Sequence, residues 1–292
     1  MKLYSPAIVR QVIEKHRFRF QKKLGQNFLI DGNIVDKIVD AAEVTSDDTI
    51  LEIGAGIGTL TQALAEKAGQ VIVVEIDKNL LPVLGETLAG YENIEVVLGN
   101  ALKTDFDELV FEHTGGLCGA GRKSYKIVAN LPYYITTPLL MYALENHYNM
   151  SLMVVMIQRE VADRITAKPG SKDYGALTLG VNYFSHPQVV MRVPKKVFMP
   201  QPEVESTVVR FRTLAEPPAL VVDEKLFFKV VRAAFGQRRK TLMNTMSVVN
   251  EEMEKSAVGE MLLTLGIDPG RRGETLNFEE FARIANEFSK KT

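Results

Sequence analysis

Tryptophan is absent from these 292 residues and cysteine occurs once, as Cys118. A single thiol closes no intrachain disulfide, and His16, His113, His147 and His186 are scattered without the spacing of a structural zinc site. A metal-free protein of a reducing, cytoplasmic compartment is therefore expected. Charge of one sign is also lacking: 35 Lys and Arg stand against 36 Asp and Glu, a formal charge of −1. That balance excludes a uniformly polybasic chain and confines any nucleic-acid contact to a local patch. Long hydrophobic runs are missing too. The stretch Leu152 to Ile157 falls far short of the roughly 20 residues a membrane span needs. The opening Met1-Lys2-Leu3-Tyr4-Ser5-Pro6 has no signal-peptide core. A soluble protein with no membrane partner is expected.

What is present is enough apolar material, 46% of the chain, to bury one large core and a smaller one. Ile34, Val35, Ile38, Val39 and Ala42 recur at helical spacing behind the caps Asp31 and Asn33. Short apolar runs follow at Thr49 to Ile53, Val71 to Glu75, Ile94 to Leu98, Lys126 to Ala129 and Leu152 to Ile157. Helical patterns stand among them at Thr59 to Lys67, Lys78 to Leu88, Pro138 to Glu145 and Glu160 to Ala167. This alternation predicts an α/β fold with a parallel, doubly wound sheet, whose ligands sit at the carboxyl ends of its strands. A helix at Tyr174 to Phe184 and late strands at Val189 to Val193 and Val204 to Arg212 complete a domain spanning 1–213. Beyond the linker Leu214 to Pro218, helical patterns at Lys225 to Phe235, Thr241 to Met246, Gly259 to Leu265 and Phe278 to Phe288 predict a small helical domain, 214–292. The glycine-rich stretch His113 to Ser124 lacks periodicity and reads as an exposed loop.

Leu51-Glu52-Ile53-Gly54-Ala55-Gly56-Ile57-Gly58 sets three glycines at alternate positions between a strand and a helix. Residues without Cβ let the backbone turn tightly and approach a ligand. A dinucleotide loop spaces its glycines G-x-G-x-x-G, so here the third arrives one residue early. A glycine-rich turn with no cofactor remains open on the loop alone. Glu75, ending the second strand, can accept both hydroxyls of a ribose; Ile76 offers an apolar face to adenine, and Asn100 a polar group to its edge. Asp77 is expected to cap the next helix.

The fourth strand runs into Asn130-Leu131-Pro132-Tyr133-Tyr134. An adenine amino group is a weak nucleophile because its lone pair is delocalised. Methyl transfer to it needs acceptors that hold the nitrogen and favour tetrahedral geometry. The Asn130 side-chain oxygen and the Leu131 carbonyl supply two, Pro132 fixes the carbonyl's direction, and Tyr133 gives a ring on which a base stacks. A strand-to-helix turn with two core tyrosines is the plainer alternative.

Lys23 to Leu29, the glycine loop, Asn130 to Tyr133, Val193 to Pro202 and Phe235 to Leu242 occur in that order. Together they resemble the KsgA/RsmA family of small-subunit ribosomal RNA adenine dimethyltransferases. The resemblance implies a class I, Rossmann-like methyltransferase domain with a small C-terminal helical domain. It also implies transfer of two methyl groups from S-adenosylmethionine to each of two adjacent adenosines near the 3′ end of 16S rRNA, within the assembling small subunit. Carried onto this sequence, Gln26, Asn27 and Leu29 would cover the cofactor, while Gly54, Gly56, Glu75, Ile76, Asn100 and Asn130 would bind it. Asn130, Leu131 and Tyr133 would hold the target base and Phe198 would complete the stacking pocket. The family usually has Asp where this chain has Asn100, which costs charge-assisted strength toward the adenine amino group.

Lys15, Arg17, Arg19, Lys22 and Lys23 interleave with Phe18 and Phe20, a segment that can neutralise phosphates or simply form a solvated arm. Given the resemblance, Lys22 and Lys23 together with Arg238, Arg239 and Lys240 are the expected RNA contacts, with Arg271 and Arg272 behind them. A monomer is expected. Two other functional classes stay open on the residues alone: a related large-subunit rRNA dimethyltransferase, and an assembly factor that keeps the fold without the chemistry.

Overall fold

The computed structural model describes residues 2–21, 24–119, 122–250 and 252–290. The chain divides into two compact units, Met1–Ala162 with Pro187–Thr213, and Asp163–His186 with Leu214–Thr292.

In chain order the first unit carries α1 (Pro6–Lys15), β1 (Phe28–Leu29), α2 (Gly32–Ala41), β2 (Thr49–Ile53), α3 (Thr59–Ala65), β3 (Gln70–Glu75), α4 (Leu81–Thr87), β4 (Ile94–Leu98), α5 (Phe106–His113), β5 (Tyr125–Asn130), α6 (Thr136–Glu145) and β6 (Met150–Gln158). α7 (Arg159–Ile165) and α8 (Ala176–Phe184) follow, then β7 (Ser185–Val193), β8 (Phe198–Met199) and β9 (Ser206–Thr213). The main sheet runs β4-β3-β2-β5-β6-β9-β7. β4 through β6 pair in parallel, as the βα alternation predicts, whereas β9 lies antiparallel to β6, with Gln158 opposite Ser206. The five residues of β2 are all buried, which explains why its apolar run shows no alternation.

From β2 the chain steps outward to β3 and β4, then returns to β5 and continues the other way to β6. With crossovers of one hand, the connections before and after this reversal lie on opposite faces of the sheet, and the carboxyl ends of β2 and β5 flank a switch point. A continuous apolar core joins the N-terminal helix to the sheet: Leu3, Val9 and Val12 pack with Val35, Ile38, Val71, Val128 and Val154. Asp31 caps α2 by accepting from the amides of Asn33 and Ile34.

Four features differ from the sequence expectations, the first being that Asp163–His186 groups with Leu214–Thr292 rather than within 1–213. α1 precedes the basic segment Lys15 to Lys23, at residues where the sequence suggests no element, with Pro6 at its start and Val9 and Val12 buried. α5 fills the β4–β5 connection, capped by Asp105 through the Glu108 amide. The stretch expected as an exposed loop buries Thr114 and Cys118, and Cys118 bridges to Lys123.

The second unit contains α8 with α9 (Glu224–Gly236), α10 (Leu242–Met246), α11 (Lys255–Thr264) and α12 (Phe278–Ser289). Tyr183, Phe227, Phe228 and Phe278 form an aromatic cluster with ring centroids 5.1 to 6.2 Å apart along its Tyr183 and Phe227 contacts. α12 begins with a capping box in which the Asn277 side chain and Glu280 satisfy each other's backbone amides. Among the described residues no helix is long and apolar enough to cross a membrane.

Candidate active site

At the switch point the carboxyl ends of β2, β3 and β5 open into one cleft of about 970 Å³, its mouth included. Parallel pairing sets this convergence: Ile53 lies opposite Val74, and Ile127 in β5 opposite Leu51 in β2, so all three strands end on the same edge. Gly54, Gly56, Glu75, Ile76, Asn100, Asn130, Leu131 and Tyr133 line the cleft, as do Gln26, Asn27 and Leu29. Nearly every residue expected at a cofactor or base site is thus brought together. Phe198 is the exception; it is buried in β8 opposite Leu29 of β1 and is not among the lining residues.

The glycine turn is shaped by its backbone. Gly54 and Gly56 adopt φ of +79° and +59°, a region that side chains rarely tolerate. A Cβ on Gly56 would stand 3.0 Å from the Phe28 ring, so a side chain there would press the covering segment away by a few tenths of an ångström.

Glu75 is buried, and its Oε1 accepts from the Asp77 amide at 2.8 Å. Burial pushes its carboxyl above the usual range, opposed by backbone hydrogen bonds from Asp77, Gly56 and Ile76. Ile76 is 45% exposed, an apolar face left open toward the cleft it lines. Asn100 caps a short 3₁₀ turn, its Oδ1 accepting from the Leu102 amide at 3.1 Å, so one lone pair is already engaged.

At the end of β5, Asn130 donates from Nδ2 to the Asn27 carbonyl at 3.2 Å. An amide held through its nitrogen leaves Oδ1 as its acceptor. Pro132 is extended, with ψ of 132°, and accepts from the Thr136 hydroxyl at 3.1 Å. The Tyr133 hydroxyl lies 2.7 Å from that of buried Ser206, which fixes the ring, and burial raises its pKa.

Glu52 is the acid two residues ahead of the Gly54-Ala55-Gly56-Ile57-Gly58 turn, and the sequence assigns it no role of its own. It lines the cleft at 1% exposure, and its Oε2 has no hydrogen-bond partner among the described residues. Burial, reinforced by the Glu75 charge, pushes its carboxyl up to about 8. The one available hint is that place ahead of the glycine turn, in an otherwise apolar run.

The expected RNA contacts divide. Lys22 and Lys23 lie outside the described residues. Phe18 and Phe20 pack against Phe28 and the core, while Arg17 and Arg19 are exposed. Arg238, Arg239 and Lys240 are exposed at the end of α9, although Arg238 also reaches the Lys172 carbonyl at 2.8 Å and Glu274 at 3.3 Å. Arg271 is a structural group, donating to Glu280 and to the Thr275 carbonyl.

Residues 17–290 match the family described as Ribosomal RNA adenine dimethylase. The chain belongs to that family. It is 52% identical to Ribosomal RNA small subunit methyltransferase A of Pelotomaculum thermopropionicum, over 97% of this chain and 96% of that one. The corresponding protein of Alkaliphilus oremlandii is 49% identical over 99% of both. Among solved structures, a dimethyladenosine transferase from Plasmodium falciparum is similar with a TM-score of 0.74 and 27% identity, covering 90% of this chain and 98% of its own. The 23S rRNA methyltransferase ErmE is similar with a TM-score of 0.67 and 26% identity, covering 90% and 100%. The chain is accordingly a Rossmann-like methyltransferase of the rRNA adenine dimethylase family.

Proposed function

We propose that this chain holds S-adenosylmethionine in the cleft. From it, methyl groups pass to the exocyclic amines of two adjacent adenosines in the 3′-terminal hairpin loop of 16S rRNA, within the assembling small subunit. We place the enzyme in the cytoplasm as a monomer. The observation that carries the reading is that the glycine turn with Glu75 and the Asn130–Tyr134 turn line a single cleft.

The described lining includes no Lys, Arg or His, which disfavours a pyrophosphate. When bound, the cofactor supplies an electrophilic methyl group on a sulfonium. Gly54 and Gly56 leave room for its amino-acid part, Glu75 accepts from its ribose hydroxyls, and Ile76 and Asn100 meet its adenine. Asn130 Oδ1 and the Leu131 carbonyl accept the two hydrogens of the target amine and draw its nitrogen toward tetrahedral geometry. Tyr133, fixed through Ser206, presents its ring to the base. The alkylated nitrogen is acidic and releases its proton without a strong base.

The small-subunit relatives favour 16S rRNA as the target, and the likeness to ErmE makes large-subunit RNA the control. Labelled methyl transfer to unmethylated small subunits and, separately, to large-subunit rRNA, with nucleosides identified by mass spectrometry, tests the reading. Dimethyladenosine is expected in the small subunit alone; label in the large subunit replaces the target. Asn130→Ala is expected to lower transfer about a hundredfold or more while retaining the fold. Near-wild-type rates in that variant would remove Asn130 from the reaction.

A further inference from the structure

Asp77 does more than cap the turn that follows it. It is 3% exposed, and both of its oxygens are in use. Oδ1 accepts from the Asn79 amide at 3.0 Å and from Asn79 Nδ2 at 2.8 Å. Oδ2 accepts from Gln21 Nε2 at 2.9 Å and from Gln26 Nε2 at 2.7 Å. A carboxylate only accepts, so it compels both glutamines to present their NH2 groups. That orientation leaves Gln26 Oε1 to accept from the Gln21 amide, at 2.8 Å. The three side chains form a closed set in which each polar contact fixes the next.

This set holds the upstream end of a segment whose downstream end is pinned elsewhere. Phe28 and Leu29 pair with Met199 and Phe198, and the Ile30 amide donates to the Val197 carbonyl at 2.8 Å. Between these anchors Gly25 turns with φ of +58°, its Cβ position 3.4 Å from the Tyr133 amide, and Asn27 offers its carbonyl to Asn130 Nδ2. The residue bonded to Asp77 is therefore the immediate neighbour of the residue that orients Asn130.

We infer that Asp77 is a positioning residue: through Gln21 and Gln26 it seats the Gln26-Asn27 peptide over the cleft, and through the Asn27 carbonyl it aims the Asn130 amide. The inference rests on the reading of Asn130 as the acceptor of the target amine. The carboxylate acts at both ends of the reaction, holding the cover over the cofactor and presenting Oδ1 of Asn130 to the base. Asp77 itself touches neither.

Asp77→Asn separates this role from capping. Its remaining oxygen still accepts from Asn79, whereas its new NH2 faces two other NH2 groups. Hydrogen exchange of the peptide spanning Phe18 to Leu29 is expected to quicken about tenfold, the worth of one charge-assisted hydrogen bond. The affinity for S-adenosylmethionine, read by calorimetry, is expected to fall by about the same factor, and kcat at saturating donor to fall with it. Asp77→Asn with Gln21→Glu returns a carboxylate to the set and is expected to restore exchange protection to within about twofold. Asn79→Ala, which alters only the capping oxygen's partners, is expected to leave the segment protected. Should Asp77→Asn fail to fold, Gln21→Ala removes one of the two bonds and is expected to quicken the same exchange. Unchanged exchange and affinity in Asp77→Asn overturn the inference, and so does a loss that Gln21→Glu does not repair. Full turnover by Asn130→Ala would instead remove the reading of Asn130 and leave the exchange result standing, so the two failures are distinguishable.

Discussion

At the scale of single residues, the site is legible wherever chemistry and backbone demand the same residue type. Gly54 and Gly56, Glu75 and Asn130 each combine a strand end with a group that a nucleoside or an amine requires, and all of them line the cleft. Glu52 is legible only as the acid ahead of the glycine turn, because nothing in the sequence shows that it is buried. Its raised pKa has a consequence for stability. The folded state holds the Glu52 proton up to about pH 8, whereas an unfolded chain releases it near 4.5. Between those values the native state binds more protons, so stability is full below pH 4.5 and declines as pH rises through the folded pKa. Glu52→Gln cannot ionise and is expected to escape that decline. Relative to wild type it gains about 4 kcal/mol between pH 5 and pH 8.5, measured by urea denaturation without cofactor. Parallel pH profiles for the two proteins would show that Glu52 is ionised in the folded state.

Among the elements, legibility follows burial pattern. β2, β3 and β5 are continuous apolar runs, and the sequence places them within a residue or so of their ends. α5 carries readable signals, Asp105 as cap with Phe106, Leu109 and Val110 at helical spacing, yet the sequence suggests no element there and only a loop at the glycine-rich His113 to Ser124 after it. β1 and β8 are two residues each, too short for any period, and their pairing depends on residues about 170 positions apart in sequence. That pairing carries Phe28 to Gly56. Gly56→Ala would set a methyl 3.0 Å from the Phe28 ring at a φ of +59°. It is expected to cost about 1–2 kcal/mol of stability and to weaken S-adenosylmethionine binding at least tenfold, read by thermal melting and calorimetry. Unaltered affinity would mean that the covering segment yields without disturbing the cofactor site.

Over the whole molecule, the linker at Leu214 is visible as a proline-rich break, but the inclusion of Asp163–His186 in the second unit is not. That grouping is a matter of distant partners, such as the Tyr174 hydroxyl donating to the Leu276 carbonyl at 2.9 Å, and no local pattern announces it. Charge is equally a property of placement. A chain of net charge −1 reaches an RNA only through local clusters, and Arg238, Arg239 and Lys240 are exposed together at one helix end of the second unit. Arg238 is partly committed to Glu274 and the Lys172 carbonyl, so its removal also disturbs the fold around it. Arg239→Ala with Lys240→Ala is the cleaner test, because both side chains are exposed and α9 keeps its buried face of Phe227, Val230, Val231 and Ala234. A cation that neutralises a phosphate displaces about one condensed counterion, and its replacement by alanine leaves that counterion in place. The double variant is therefore expected to bind small subunits less tightly at low salt, with a log–log salt slope shallower by roughly two. Its affinity for S-adenosylmethionine, which we propose to reside in the first unit's cleft, is expected to stay unchanged. An unaltered salt slope would assign RNA binding to other cations, with exposed Arg17 and Arg19 the next pair to replace.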